Sequence, residues 1–146
     1  MFATYEEVEV GATTTVGEYE VTREEILTFA EQYDPQPFHL DEEAAAQSLF
    51  GGLVASGWHT ASVTMRLVVD GILNDSGAMG AVGVDELRWP NPVRPGDVLS
   101  IEVEILEKEP WREGIGVVPT RITTTKADGE VAQSYVGRVL YPMSGE

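Results

Sequence analysis

A carboxylate and an imidazole stand five positions apart in Tyr33-Asp34-Pro35-Gln36-Pro37-Phe38-His39. The chain has only two histidines and no cysteine, so thiol nucleophiles and thiolate metal sites are excluded. Histidine titrates near neutrality, and beside a carboxylate it can hold or move a proton there. Pro35 pushes Asp34 out of the helical region, and Pro37 does the same to Gln36. Fully extended, the segment would span up to about 17 Å, so Asp34 and His39 meet only if the chain turns back. A turn begun by Asp34-Pro35, with His39 bonded to backbone before the next helix, explains the same residues without chemistry. Spacing alone leaves both readings open.

Ser56-Gly57 is a second candidate. Backbone N–H groups at the start of a helix can stabilise a developing oxyanion, although an ordinary cap followed by a small packing residue reads the same way. Asp41 reads as a helix cap, and His59 as a packed core histidine. No Gly-x-Ser-x-Gly elbow, P-loop or dinucleotide glycine fingerprint is present. The histidines and acids have no metal-ligand spacing, so neither a metal nor a cofactor is expected.

The elements that must position these residues can be read in order. Residues 13–21 have strand character. Thr22-Arg23-Glu24-Glu25 opens a helix as a capping box. Ile26, Leu27, Phe29, Ala30 and Tyr33 give that helix an apolar face, and Pro35 ends it. A short helix is expected from Asp41 to about Ser48. Gly51-Gly52 breaks the pattern, and a long helix follows from Ser56 or Gly57 to about Leu73. It is apolar on most sides, which predicts burial. Residues 80–89, 98–108, 116–126 and 131–141 read as strands, the last two joined by an Ala127-Asp128-Gly129 hairpin. Strands in succession suggest an α+β protein: an antiparallel meander, joined by the N-terminal strand, wrapped around one long helix. One domain spanning 1–146 is expected.

Twenty-five acidic residues face nine basic ones, of which only Lys108 and Lys126 are lysines, for a net charge of −16. Such a chain offers no basic surface to nucleic acid. The most apolar run, 58–73, is interrupted by Arg66 and Asp70 and is too short to span a bilayer. The N-terminus lacks the regions of a signal peptide, and a cytoplasmic location is expected.

Asp34-Pro35-Gln36-Pro37-Phe38-His39-Leu40-Asp41, followed by Phe50-Gly51-Gly52-Leu53-Val54-Ala55-Ser56-Gly57, resembles the MaoC-like dehydratase family, which includes R-specific enoyl-CoA hydratases. Trp89-Pro90-Asn91-Pro92-Val93-Arg94-Pro95-Gly96-Asp97 is similar to the family's turn between strands. The resemblance covers about residues 20 to 142. It implies the hot dog fold, a homodimer or higher homo-oligomer, an acyl-CoA thioester substrate, and reversible addition of water to a 2-enoyl-CoA. Asp34 and His39 match the family's catalytic pair, Gly57 its oxyanion N–H, and Ser56, Gln36 and Phe38 the substrate-binding positions. A raised pKa at the helix-end Asp34 would suit a base. Two positions depart from the common pattern: Gln36 stands where many members have Asn, and Ser56 where many have His. A serine on the central helix that positions substrate in some members has no clear match, since Met65 falls near its place. Some of Arg66, Arg88, Arg94 and Arg121 would cluster at the groove mouth to meet CoA. A hot dog thioesterase and a non-catalytic acyl-CoA-binding subunit are the alternatives.

The scarcity of lysine beside so many acids favours adaptation to a salty cytoplasm, where self-repulsion is screened within about 3 Å at molar salt, over simply an acidic soluble protein. Stability in urea unfolding should then rise as KCl goes from low to molar concentration. A monotonic fall would remove the halophilic reading.

Overall fold

The strands follow the two-residue alternation of a sheet with one buried face. On β3 (Val98–Ile105), Leu99, Ile101, Val103 and Ile105 all point inward and are buried. The computed structural model describes residues 2–145. Its other strands are β1 (Thr13–Glu20), β2 (Gly80–Arg88), β4 (Glu109–Arg112), β5 (Ile115–Lys126) and β6 (Val131–Pro142). They form one antiparallel sheet in the order β1-β3-β5-β6-β2, with β4 added beside the start of β5.

This order corrects the expected meander. Of the four long strands expected to form it, only the last three, β3, β5 and β6, lie side by side in chain order, while β2 crosses to the far edge to pair with β6. The connection from β2 to β3 contains Pro90, Pro92 and Pro95. It is no tight hairpin, so it does not force its two strands together. β3 also ends at Ile105, short of position 108, and the chain turns into β4. Pro110 obscured that strand in the sequence, because proline in a sheet is confined to edges and β4 lies at one.

Helix α1 (Arg23–Tyr33) begins at Thr22, whose hydroxyl oxygen accepts the Glu25 N–H at 3.2 Å. A turn of helix absent from the sequence reading, α2 (Pro37–Leu40), precedes α3 (Glu42–Ala46), which Asp41 caps and which stops short of Ser48. The long helix α4 (Gly57–Gly71) lies against the sheet. His59, Thr60, Val63, Thr64, Leu67 and Val68 recur on its one buried face. Trp58 and Met65 face outward, 58% and 45% exposed, so burial on most sides is not observed. Among the described residues no helix is long and apolar enough to cross a membrane.

Leu67, Val68 and Ile72 pack on Ile101, Val103, Ile122 and Tyr135 of the sheet. A second cluster sets Val21 and Ile26 against Leu53, Val63, Val93 and Leu99 near the start of α4. Burial of side chains of this size is worth about 1.5–3 kcal/mol each. Together these clusters hold α4 in the curl of the sheet as the hot dog fold, with the N-terminus of the helix delivered to one end. His59 is a core histidine. It stacks on Phe29 with ring centroids 4.9 Å apart, and burial pushes its pKa down despite the opposing charge of Glu25.

Candidate active site

Pro35 and Pro37 shape the path from Asp34 to His39. The Gln36 N–H donates to the Asp34 carbonyl at 2.8 Å, closing a γ-turn around Pro35. Pro37 then sits in the first turn of α2, where a missing N–H breaks no helical bond. The His39 N–H returns to the Gln36 carbonyl at 2.9 Å. The chain thus doubles back, and Asp34 Oδ2 lies 3.3 Å from His39 Nε2.

His39 is buried, and its Nδ1 lies 2.7 Å from the Val54 carbonyl. A carbonyl can only accept, so Nδ1 carries the proton. In the neutral ring, Nε2 is then an acceptor facing the Asp34 carboxylate, also an acceptor. Phe38 meets the imidazole edge-on at 4.5 Å and tilts against Phe50 at 5.3 Å.

Long-range bonds hold this arrangement. The Val54 N–H approaches the Phe38 carbonyl at 3.5 Å, and the Ala55 N–H donates to the Val93 carbonyl at 2.8 Å. Arg94 donates to the Phe50 carbonyl at 2.7 Å. Arg94 itself starts a turn in which Gly96 adopts φ +89°, a conformation that favours glycine after Pro95. Asp97 closes the turn by accepting the Arg94 N–H at 2.7 Å, and it pairs with buried Lys126 at 3.1 Å. Three motifs far apart in sequence form one hydrogen-bonded unit.

Asp34 Oδ1 accepts the Gln36 amide at 2.6 Å, and the Ser56 hydroxyl favours the charged carboxylate. Burial is the largest single influence on Asp34 and raises its pKa. The bonds from Ser56 and Gln36, with the His39 ring, outweigh it, so the carboxyl lies below the ordinary carboxylate value. The raised pKa expected at a helix end is therefore wrong. The dipole effect is weak and confined to the last turn, whereas these donors touch the carboxylate.

The Ser56 side-chain oxygen accepts the Trp58 N–H at 3.2 Å, and its carbonyl accepts from His59 and Thr60. The Gly57 N–H remains as the leading donor of α4. The Trp89 indole packs directly on Gly57, where an added Cβ would lie 2.5 Å from the ring. Trp89 Nε1 in turn donates to Gln133 at 2.8 Å. Asp34, Gln36, Phe38, His39, Ser56 and Gly57 all line one pocket of about 430 Å³, with Phe50 and Trp89 adding apolar walls.

Of the four arginines expected at the groove mouth, three have partners within the chain. Arg94 is engaged with Phe50, Arg66 pairs with Asp70 at 2.6 Å, and Arg121 lies 3.6 Å from Glu104. Arg88 is exposed, next to Trp89 in sequence. Met65 and Ser62 face outward on α4, Ser62 donating to the Trp58 carbonyl. Val54, Phe50, Trp89 and Gln133 were missed as site elements, because only tertiary contacts bring them to the pocket.

The curled sheet, its single long helix and a pocket at the helix N-terminus define a hot dog protein. The chain belongs to the MaoC-like dehydratase family, the MaoC like domain matching residues 7–127. The solved MaoC-like dehydratase from Rhodospirillum rubrum is 42% identical, with a TM-score of 0.88 over 98% of this chain and 99% of that one. The 3-hydroxybutyryl-CoA dehydratase of Methylorubrum extorquens is 33% identical over 110 residues, 74% of this chain and 67% of that protein. The R-hydratase PhaJ1 from Pseudomonas aeruginosa is 26% identical, with a TM-score of 0.73 over 97% of this chain and 86% of that one.

Because the Asp34 pKa is depressed in the folded state, its contribution to stability is present above the ordinary carboxylate value and is lost as pH falls through the folded one. Ser56→Ala should move the Asp34 titration upward when followed by carbon NMR. An unmoved titration would show that the hydroxyl does not set it.

Proposed function

We propose that this chain adds water reversibly to the 2,3-double bond of a 2-enoyl-CoA thioester, giving an (R)-3-hydroxyacyl-CoA. The observation that supports this reading is Asp34 Oδ2 facing His39 Nε2, a second acceptor when the ring is neutral, 3.3 Å away in the pocket. One water can satisfy both by donating a proton to each, which leaves an oxygen lone pair for C3. As that oxygen attacks C3, Asp34 takes one proton from the water; the same proton passes to His39 Nε2, which delivers it to C2. The pair thereby returns to its starting state, and hydroxyl and hydrogen both come from the water. Because one pair serves both carbons, addition is syn.

The Gly57 N–H donates to the thioester oxygen as enolate character develops, a contribution of about 2.7–4 kcal/mol for such a donor. Ser56 and Gln36 keep Asp34 ionised and aimed, and Phe38 contributes to the apolar wall beside the acyl group. The chain acts as a single cytoplasmic domain that needs no metal or cofactor. It pairs with a second copy, because β2 leaves an open sheet edge. Val82 and Val84 there are 48% and 52% exposed, and Trp58, Met65, Met79 and Trp89 are exposed apolar residues nearby or flanking it.

Hydration of crotonyl-CoA, followed as loss of enoyl absorbance in high-salt buffer, should fall about 10²–10⁴-fold in Asp34→Asn and in His39→Ala. Unchanged turnover in both variants removes the assignment. Thiol release would instead mark a thioesterase, and binding without turnover a non-catalytic subunit. Light scattering should give a dimer that Val84→Glu shifts toward monomer; a monomeric wild type sinks the pairing.

A further inference from the structure

The space between α4 and the sheet is divided by a layer of polar side chains. Trp89 Nε1 donates to Gln133 Oε1 at 2.8 Å, and Gln133 Nε2 donates to Thr64 Oγ1 at 3.2 Å. Thr64 Oγ1 and Thr124 Oγ1 are 2.6 Å apart, with either hydroxyl able to donate. Thr64, Thr124 and Gln133 are completely buried, at 0% exposure. Thr124 and Gln133 are register partners across β5 and β6, so the layer crosses from helix to sheet at one level.

On either side lie two cavities with no lining residue in common. The candidate active-site pocket holds about 430 Å³, and a second, strongly apolar cavity about 370 Å³. Helical periodicity shows how the layer separates them. Thr60 lines the first, Thr64 one turn later belongs to the layer, and Val68 one turn further lines the second. The strands repeat the order. On β6, Ala132 lines the first, Gln133 belongs to the layer and Tyr135 lines the second. On β5, Thr124 gives way to Ile122 and Thr120 of the second cavity.

The geometry points to Gln133, Thr64 and Thr124, with Trp89 held against them, as the end wall of the acyl pocket, confining the enzyme to short acyl chains. This rests on the hydratase reading and names its substrate class. An apolar tail that reached the layer would have to separate the Gln133 amide from its partners, leaving buried polar groups without bonds. A short tail stops before it. An all-apolar layer of the same volume would present no such obstacle between the two cavities.

The test is a series of 2-enoyl-CoA substrates from four to ten carbons, assayed on the wild type and on Thr64→Ala/Gln133→Ala. Wild-type kcat/KM should fall at least about tenfold between the four- and eight-carbon substrates. The eight-to-four-carbon ratio should rise at least about tenfold in the double variant. Binding of butyryl-CoA and octanoyl-CoA to the wild type, measured by calorimetry, supplies an arm independent of turnover and of the variant's folding. If no substrate is hydrated, the hydratase reading fails, and tighter binding of butyryl-CoA still supports the wall. Equal turnover of short and long substrates, an unchanged ratio in a folded double variant, or octanoyl-CoA binding as tightly as butyryl-CoA overturns it.

Discussion

The hydrogen bond from His39 Nδ1 to the Val54 carbonyl, 2.7 Å long in a buried setting, fixes the chemical character of the pocket. It makes Nδ1 the protonated nitrogen of the neutral ring and turns Nε2 toward Asp34. It also joins distant parts of the chain, since the Val54 segment is tied to Phe38 on one side and through Ala55 to Val93 on the other. Without that carbonyl the ring could rotate or change tautomer, and the facing acceptors would be lost. The curl of the sheet and the seat of α4 matter to the site mainly because they hold this one peptide group in place.

Polarity is distributed unusually along α4. Inward positions include Thr60 and Thr64, while outward ones include Trp58 and Met65. In an isolated globular helix the reverse would be favoured, because burying apolar area supplies most of the driving force. The buried threonines are tolerable only where their hydroxyls are bonded, as the 2.6 Å contact between Thr64 and Thr124 shows. Positive charge is sparing too: of the nine basic residues in an acidic chain, Arg94 and Lys126 support loops beside the pocket.

Local signals were legible in the sequence, and long-range ones were not. The Thr22 cap, Pro35 as terminator, Asp41 as cap and Gly57 at the head of the long helix each follow from chemistry within a few residues. The close approach of Asp34 and His39 was an open question, because proline restricts each φ but does not say where the chain goes next. The order of strands was lost for a similar reason: nothing near β2 says that its partner, β6, begins more than forty positions later. Asp34 acidity was misjudged because the Ser56 hydroxyl and the burial that opposes it come from tertiary structure. Trp89 looked like part of a proline-rich turn, and only its contacts with Gly57 and Gln133 give it a place in the site.

The Ser56 hydroxyl lowers the pKa of Asp34, and the same oxygen accepts from the Trp58 amide. A single atom thereby belongs to both the first turn of a helix and the proton affinity of a carboxylate. Fraying of that turn would not simply loosen a helix end. It would release the aim of the carboxylate and displace the Gly57 amide in the same event, so the parts fail together. The lifetime of an intact site is then the lifetime of one helical turn, set by local opening rather than by global unfolding.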